Sequence, residues 1–256
     1  LGEANWPQRS AGCGCLDTCG FEKDAFYFYK SVWNQKEKFA YLCPHWNLKL
    51  EKGTVLPVIC YTNCEDAELF VNGRSFGMKS KGFPCYGMTE RYGHFDRYRR
   101  PANTDDLFLS WDVPFEPGKL EVVGYHDGKE VCRYVVETTG PADSIELAVD
   151  QLSLSADGRS VAQAEIRIVD REGRLVPDAC PELDFTLEGD GEIIGIDNGD
   201  PACHEQWKEK MGRHAFNGMA YAIIRAGQTT GKLKLTVSGA GKDASLGTKT
   251  AVIEQK

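Results

Sequence analysis

Several short runs in the chain carry residue types that do chemistry in other proteins, and spacing decides what each can do here. Gly73-Arg74-Ser75-Phe76-Gly77 matches the G-x-S-x-G elbow that presents a nucleophilic serine. An elbow needs a strand before it and a helix after it. Here Asn72-Gly73 signals a tight hairpin turn and Gly82-Phe83-Pro84 blocks a helix downstream, so the serine reading is set aside. His204-Glu205-Gln206-Trp207-Lys208 begins like the zinc motif H-E-x-x-H, but Lys208 stands where the second imidazole must be. Cys13, Cys15 and Cys19 cluster without a matching pair at zinc-finger spacing, so a fourth ligand would have to come from afar; buried free thiols are the plainer reading of the cysteines. Asp197 and Asp200, flanking Asn198, are weak candidates for a structural cation, with an Asx turn as the alternative, because the spacing of a calcium loop is missing. No cofactor motif and no glycine-rich phosphate loop occurs, so no cofactor is expected.

Aromatic side chains are the other candidates, since their faces pack on the C–H side of sugar rings. Trp46, Tyr92, Phe95, Tyr98 and Trp207 are the possible stacking residues; Trp111 alternates within a strand and reads as core. Trp46 and the trio Tyr92, Phe95 and Tyr98 stay open between surface packing and ligand contact.

The elements that must position these residues are mostly strands. Phe21 to Trp33 is the exception, with Phe26, Tyr29 and Trp33 spaced for one apolar helix face that must dock on something. From Val55 onward the hydrophobic period is two. Runs such as Val55–Tyr61, Glu68–Val71, Leu107–Trp111, Leu120–Tyr125 and Val131–Val136 are broken by Asn72-Gly73 and Asp127-Gly128, the turns of hairpins. Thr138 to Asp143 is the best linker. Beyond it Ile145–Val149, Ala164–Val169, Asp184–Leu187, Glu192–Ile196, Met219–Arg225 and Leu233–Val237 repeat the pattern. The expected fold is therefore all-β, two immunoglobulin-like β-sandwich domains in tandem after an N-terminal helix. Residues 79–103 and 197–216 are the long irregular stretches, and the first reads as an exposed loop.

Composition bounds the partners. Thirty-eight acidic against 30 basic residues among 256 leave a net charge of −8, which argues against nucleic acid. No apolar run approaches the roughly 20 residues of a membrane span, and the N-terminus has no basic-then-apolar signal segment.

Three consecutive stretches, opening on Trp6-Pro7-Gln8-Arg9-Ser10, on Leu42-Cys43-Pro44-His45-Trp46-Asn47 and on Gly195-Ile196-Asp197-Asn198-Gly199-Asp200, resemble the glycoside hydrolase family 2 enzymes of the β-galactosidase group, as found in Bacteroidetes. Trp6-Pro7-Gln8-Arg9-Ser10, Leu16 to Asp24 and Tyr27 to Trp33 are similar to the last loop and helix of that family's (β/α)8 barrel. Leu42 to Asn47, Tyr61 to Cys64, Glu68 to Gly77 and Trp111 to Phe115 resemble the sandwich that follows the barrel, and Gly195 to Asp200 with Ala215 to Gly218 resemble its C-terminal invasin-like sandwich. The resemblance implies residues 1–36 as barrel remnant, 37–140 as a first sandwich and 141–256 as a second. It implies Glu3, Trp6 and Arg9 on the rim of a substrate pocket, an exported bacterial protein, and a catalytic barrel as the missing partner. The family's retaining chemistry uses two glutamates, one in an Asn-Glu pair, and no Asn-Glu occurs here; neither can be assigned to a residue of this chain, which is expected to be non-catalytic. A carbohydrate-binding module and an adhesive immunoglobulin-like pair are the alternative expectations.

Overall fold

Strand alternation and turn chemistry organise the chain, and a computed structural model describes residues 5–8, 12–34, 36–80, 107–206 and 212–256. It is divided into two compact units, Glu22–Thr138 and a second made of Leu1–Phe21 with Thr139–Lys256. The N-terminal stretch that resembles a barrel remnant is thus shared out: residues up to Phe21 belong with the C-terminal sandwich, and the helix belongs with the first.

In Glu22–Thr138, helix α1 spans Asp24–Trp33 and is followed by β1 Ala40–Cys43, β2 Val55–Thr62, β3 Asp66–Val71, β4 Arg74–Ser80, β5 Leu109–Pro114, β6 Lys119–His126 and β7 Lys129–Glu137. Two antiparallel sheets form, in the orders β1-β2-β5 and β4-β3-β6-β7. Both hairpins turn as their sequences require: Asn72 and Gly73 have φ of 48° and 80°, Asp127 and Gly128 of 48° and 70°, the left-handed values of a type I′ turn. The inward faces bury Leu42, Val58, Leu69, Val113, Leu120 and Val122 in one core. Trp111 lies in that core, and its indole N–H donates to the Gly77 carbonyl at 3.0 Å.

Trp46, a sugar-stacking candidate, is corrected by the structure. Its ring is 0 % exposed, packs edge-on to Phe115 at 5.1 Å and donates its N–H to the Glu116 carbonyl at 2.8 Å. With both faces covered by protein, no ring surface is left for a sugar.

α1 docks by a different face from the one its spacing suggests. Tyr27 lies flat on Tyr41 of β1 at 3.6 Å, Phe28 meets Tyr61 of β2 edge-on, and Tyr41 Oη donates to Asp24 in the first helical turn at 2.7 Å. Burial and the carboxylates of Glu22 and Asp24 push both Tyr27 and Tyr41 hydroxyls upward from their ordinary range, so they remain donors. Tyr29, Val32 and Trp33 are exposed, Trp33 being 73 % exposed and stacked on Tyr29.

The second unit carries β8 Ser144–Val149, β9 Ser153–Leu154, β10 Val161–Val169, β11 Glu182–Glu188, β12 Gly191–Asp197, β13 Gly212–His214, β14 Met219–Ala226, β15 Gly231–Gly239, a short 3-10 helix Gly241–Leu246 and β16 Thr248–Gln255. Its sheets run β12-β14-β10-β8 and β13-β11-β15-β16-β9. β9 joins β16 in parallel, while the other described pairs are antiparallel. Ile145, Ile166, Phe185, Ile224, Leu235 and Ile253 meet between the sheets in one core. Buried Asp170 ties the start of this unit together: its carboxylate accepts from the backbone N–H groups of Gly140 and Arg174, at 2.9 Å each, and from Arg174 Nε at 2.9 Å. Gln255 does the same near the other end of the sheet, accepting from Gly227 N–H at 2.9 Å and donating to the Asp190 carbonyl at 2.9 Å.

Candidate functional site

Of the sequence-predicted residues, Trp6, Asp197 and Asp200 lie in the second unit, where the N-terminal strap, the segment up to Phe21, meets the loop after β12. The strap is folded by Asp17, whose Oδ1 accepts from Cys19 N–H at 2.8 Å and Phe21 N–H at 3.0 Å, the pattern by which a short acidic side chain stands in for backbone in a turn. Phe21 then anchors the strap on β14 through an edge-to-face contact with Tyr221, 5.8 Å between centroids.

The loop is ordered from within by Asn198. Buried Asn198 donates from its side-chain amide to the His214 carbonyl at 2.9 Å, and its Oδ1 accepts from Asp200 N–H at 3.1 Å. Gly199 follows with φ +76°, and the Asp17 carboxylate occupies the space its missing side chain would fill. Only glycine allows both the backbone turn and the approach of the strap.

Beneath the loop lies Arg213 of β13, with a fully buried side chain. Its Nη2 pairs with Asp197 at 2.5 Å and its Nη1 donates to the Glu205 carbonyl at 2.8 Å. Among the described residues its Nε has no hydrogen-bond partner, with Glu205 Oε2 3.9 Å away. Glu205 also holds His214 through both the backbone N–H, at 3.1 Å, and the ring Nδ1. Burial works against ionisation of Glu205, but the hydrogen bonds from His214 and the charge of Arg213 outweigh it and hold the carboxyl below its usual range.

Both candidate carboxylates have partners within the protein. Asp197 is paired with a guanidinium, and Asp200 turns its Oδ1 onto Ala202 N–H at 2.8 Å, so the geometry is that of an Asx turn and an ion pair. Cys19 lies beside the same carboxylates; burial, then Asp197 and Asp17, push its thiol up to about 12, the opposite of what a nucleophile needs. Among the described residues, the group whose ligand atoms come close enough to share a cation is Glu65, His126 and Asp127 in the first unit. It contains neither the N-terminal cysteines nor Asp197 and Asp200.

Above the loop the strap presents an aromatic surface. Trp6 stacks on His204 with ring centroids 4.4 Å apart, and His204 Nε2 is bonded to the Pro7 carbonyl at 2.7 Å. The outer face of Trp6 is open, the side chain being 82 % exposed. Of the other candidates, Glu3, Arg9, Tyr92, Phe95, Tyr98 and Trp207 lie outside the described residues. His204, Asn198 and Arg213 were not singled out by sequence as partners of the strap; the signal available was only that a long irregular loop held an unusual density of polar and aromatic residues.

A concavity of about 270 Å³ lies in the first unit between Lys52, Arg74, Phe76, Phe115 and Glu116. Lys52 and Glu116 pair across it, and the Arg74 guanidinium sits over the Phe76 ring at 4.8 Å. It offers cationic and aromatic contacts.

Two tandem sandwiches, the second clamping an aromatic strap, define the class. Residues 145–246 match the family described as glycoside hydrolase family 2 C-terminal domain 5, and residues 53–132 match a domain of unknown function, DUF4982. The chain belongs to the C-terminal sandwich region of glycoside hydrolase family 2. It is 35 % identical to the β-galactosidase BoGH2A of Bacteroides ovatus over 92 % of this chain and 25 % of that protein. A putative β-glucuronidase of Formosa agariphila is 31 % identical over 83 % of this chain and 19 % of its own length. The crystal structure of a β-glycosidase from Bacteroides vulgatus superposes with a TM-score of 0.81 at 32 % identity, over 99 % of this chain and 29 % of that one. The chain thus spans about a quarter or less of the curated relatives named here.

Proposed function

We propose that the chain is the non-catalytic C-terminal region of a family 2 glycosidase, and that it buttresses a catalytic barrel and shapes the rim of its substrate pocket. The observation that carries this reading is the clamp of Trp6 and Pro7 by His204. By resemblance Trp6 lies in the last barrel loop, and here the C-terminal sandwich holds that loop in place and turns one indole face outward. The exposed face of α1, Tyr29, Val32 and Trp33, supports the same reading, because apolar side chains on the family's last barrel helix gain stability only when a neighbouring element covers them. Galactosides and glucuronides are the substrate classes to try, from the names of the relatives.

The purified chain is expected to release no nitrophenol from nitrophenyl β-galactoside or β-glucuronide. Turnover that survives repurification and tracks this chain overturns the non-catalytic assignment.

A carbohydrate-binding role is the second reading, favoured by the open face of Trp6. Calorimetry against galactans and simple galactosides separates the two. Heat of binding that disappears in Trp6→Ala makes the strap a sugar platform in its own right; no heat leaves the buttress.

A further inference from the structure

Cys64 and Cys132 are far apart in sequence and touch in the fold, their sulfurs 3.4 Å apart. Cys64 sits where the chain crosses from β2 to β3, so its side chain enters between the two sheets, and it is 3 % exposed. Cys132 stands on β7, paired with Gly124 of β6. Gly124 makes the meeting possible: a Cβ at that position would lie 2.6 Å from the Cys132 sulfur and 2.7 Å from that of Cys64. A strand residue with no side chain, in the middle of a sheet that otherwise fills its inner face, leaves a slot for the two sulfurs.

We propose that Cys64 and Cys132 form an oxidisable thiol pair, which closes to a disulfide when a peroxide reaches the folded first sandwich. A disulfide sulfur–sulfur bond of about 2.05 Å requires the sulfurs to approach by only about 1.4 Å. The balanced sequence has two steps. The Cys64 thiolate attacks one peroxide oxygen, the S–O bond forms as the O–O bond breaks, and hydroxide leaves to become water. Cys132 sulfur then attacks the Cys64 sulfenic acid, the S–S bond forms as the S–O bond breaks, and a second water departs with the remaining proton. In sum two thiols and one peroxide give one disulfide and two waters.

The surroundings favour this order. The hydrogen bond from Cys132 is the main influence lowering the Cys64 thiol below its ordinary range; burial opposes it, and Thr62, Lys38 and His126 add to the lowering. The same hydrogen bond, with burial, raises Cys132, which therefore keeps the proton. A thiolate beside a thiol donor is the arrangement in which one sulfur is attacked by oxidant and the other resolves it.

The test is made on the folded full chain carrying Cys13→Ser and Cys180→Ser, which remove the two thiols that are exposed among the described residues, and Cys85→Ser, so that none of these three can cross-link molecules. After limited hydrogen peroxide and alkylation, non-reducing peptide mapping is expected to find the Cys64 and Cys132 peptides joined with loss of two hydrogens, and dithiothreitol to separate them. Because the bridge closes a sequence separation of 68 residues, the thermal midpoint of the oxidised form is expected to rise by about 5 °C or more. Adding Cys132→Ala should abolish both effects. The same mapping on the unsubstituted chain requires no variant to fold: if in it Cys64 and Cys132 stay reduced, are oxidised singly to sulfinic acids, or pair with other cysteines, the proposal is overturned.

Discussion

The indole of Trp6 and the imidazole of His204 lie 4.4 Å apart with their planes inclined by 28°, the imidazole Nε2 bonded to the Pro7 carbonyl. A solvent-facing tryptophan held by a loop almost two hundred residues later in the chain cannot be the product of local sequence. It ties the strap's geometry to the second sandwich.

Trp6→Ala is expected to remove the ring current acting on His204 while leaving the fold intact, since the side chain it removes is mostly exposed. The NMR resonances of the His204 ring protons should move downfield, with a stability change within about 0.5 kcal/mol. Unmoved resonances would mean that the two rings do not stack in solution.

At Gly199 a methyl group would meet the Asp17 carboxylate on a backbone of φ +76°. Gly199→Ala should therefore push the strap away. Hydrogen exchange at Cys19 and Phe21, whose N–H groups are bonded to Asp17, is expected to quicken by about tenfold or more. Unchanged protection would show that the strap holds itself together without the loop.

Asp170 gives a prediction with a pH signature. Burial by itself would raise its carboxyl, but hydrogen bonds from Arg174 and Gly140 and the Arg174 charge lower it to about 2. An unfolded aspartate titrates near 3.9, so the ionised group favours the fold fully above about pH 4, and the benefit is lost as pH falls through 2. Asp170→Asn should cost about 2–4 kcal/mol in urea unfolding at pH 7 and progressively less toward pH 2. A gap between the two proteins that stays constant with pH would contradict the ion-pair account.

Two tryptophans placed only thirteen positions apart should behave oppositely. Trp46→Ala empties a fully buried site and should destabilise by about 3–5 kcal/mol. Trp33→Ala removes a mostly exposed ring and should cost about 0.5 kcal/mol or less. Comparable urea midpoints for the two variants would show that the core around Trp46 is misassigned.

The comparison of those tryptophans also explains what the sequence could tell. Strand periods and the Asn72-Gly73 and Asp127-Gly128 turns are local signals, and β2 to β8 and β10 to β12 stand where alternation and turn residues put them. β1, β9 and β13 are two to four residues long, too short for a period to show, and they exist because a neighbouring strand supplies partners. β16, Thr248–Gln255, opens on a polar Thr-Lys-Thr run that hides its alternation. Trp46 follows Pro44 and His45 in an irregular run that looked like surface; its burial comes from Phe115 and Glu116, nearly seventy residues on. The helix spacing was right but its docking face was not, because Tyr27 and Tyr41 stack through their ring faces while their hydroxyls reach carboxylates, and a hydropathy pattern treats tyrosine as neither. The Trp6–His204 clamp and the Cys64–Cys132 contact link segments with no shared motif, and only the folded chain brings them together.

The parallel pairing of β9 with β16 sets a timetable for synthesis. β9 has two residues and its described strand partner is β16, made about a hundred residues afterwards, while β16 also completes the edge of β15. As the chain leaves the ribosome, the first sandwich has all its strands available well before the second can close. During that interval β8 to β12 and the inner faces they contribute stay exposed, so the C-terminal sandwich is where a nascent chain is most open to chaperones, to proteases and to pairing with a neighbouring copy.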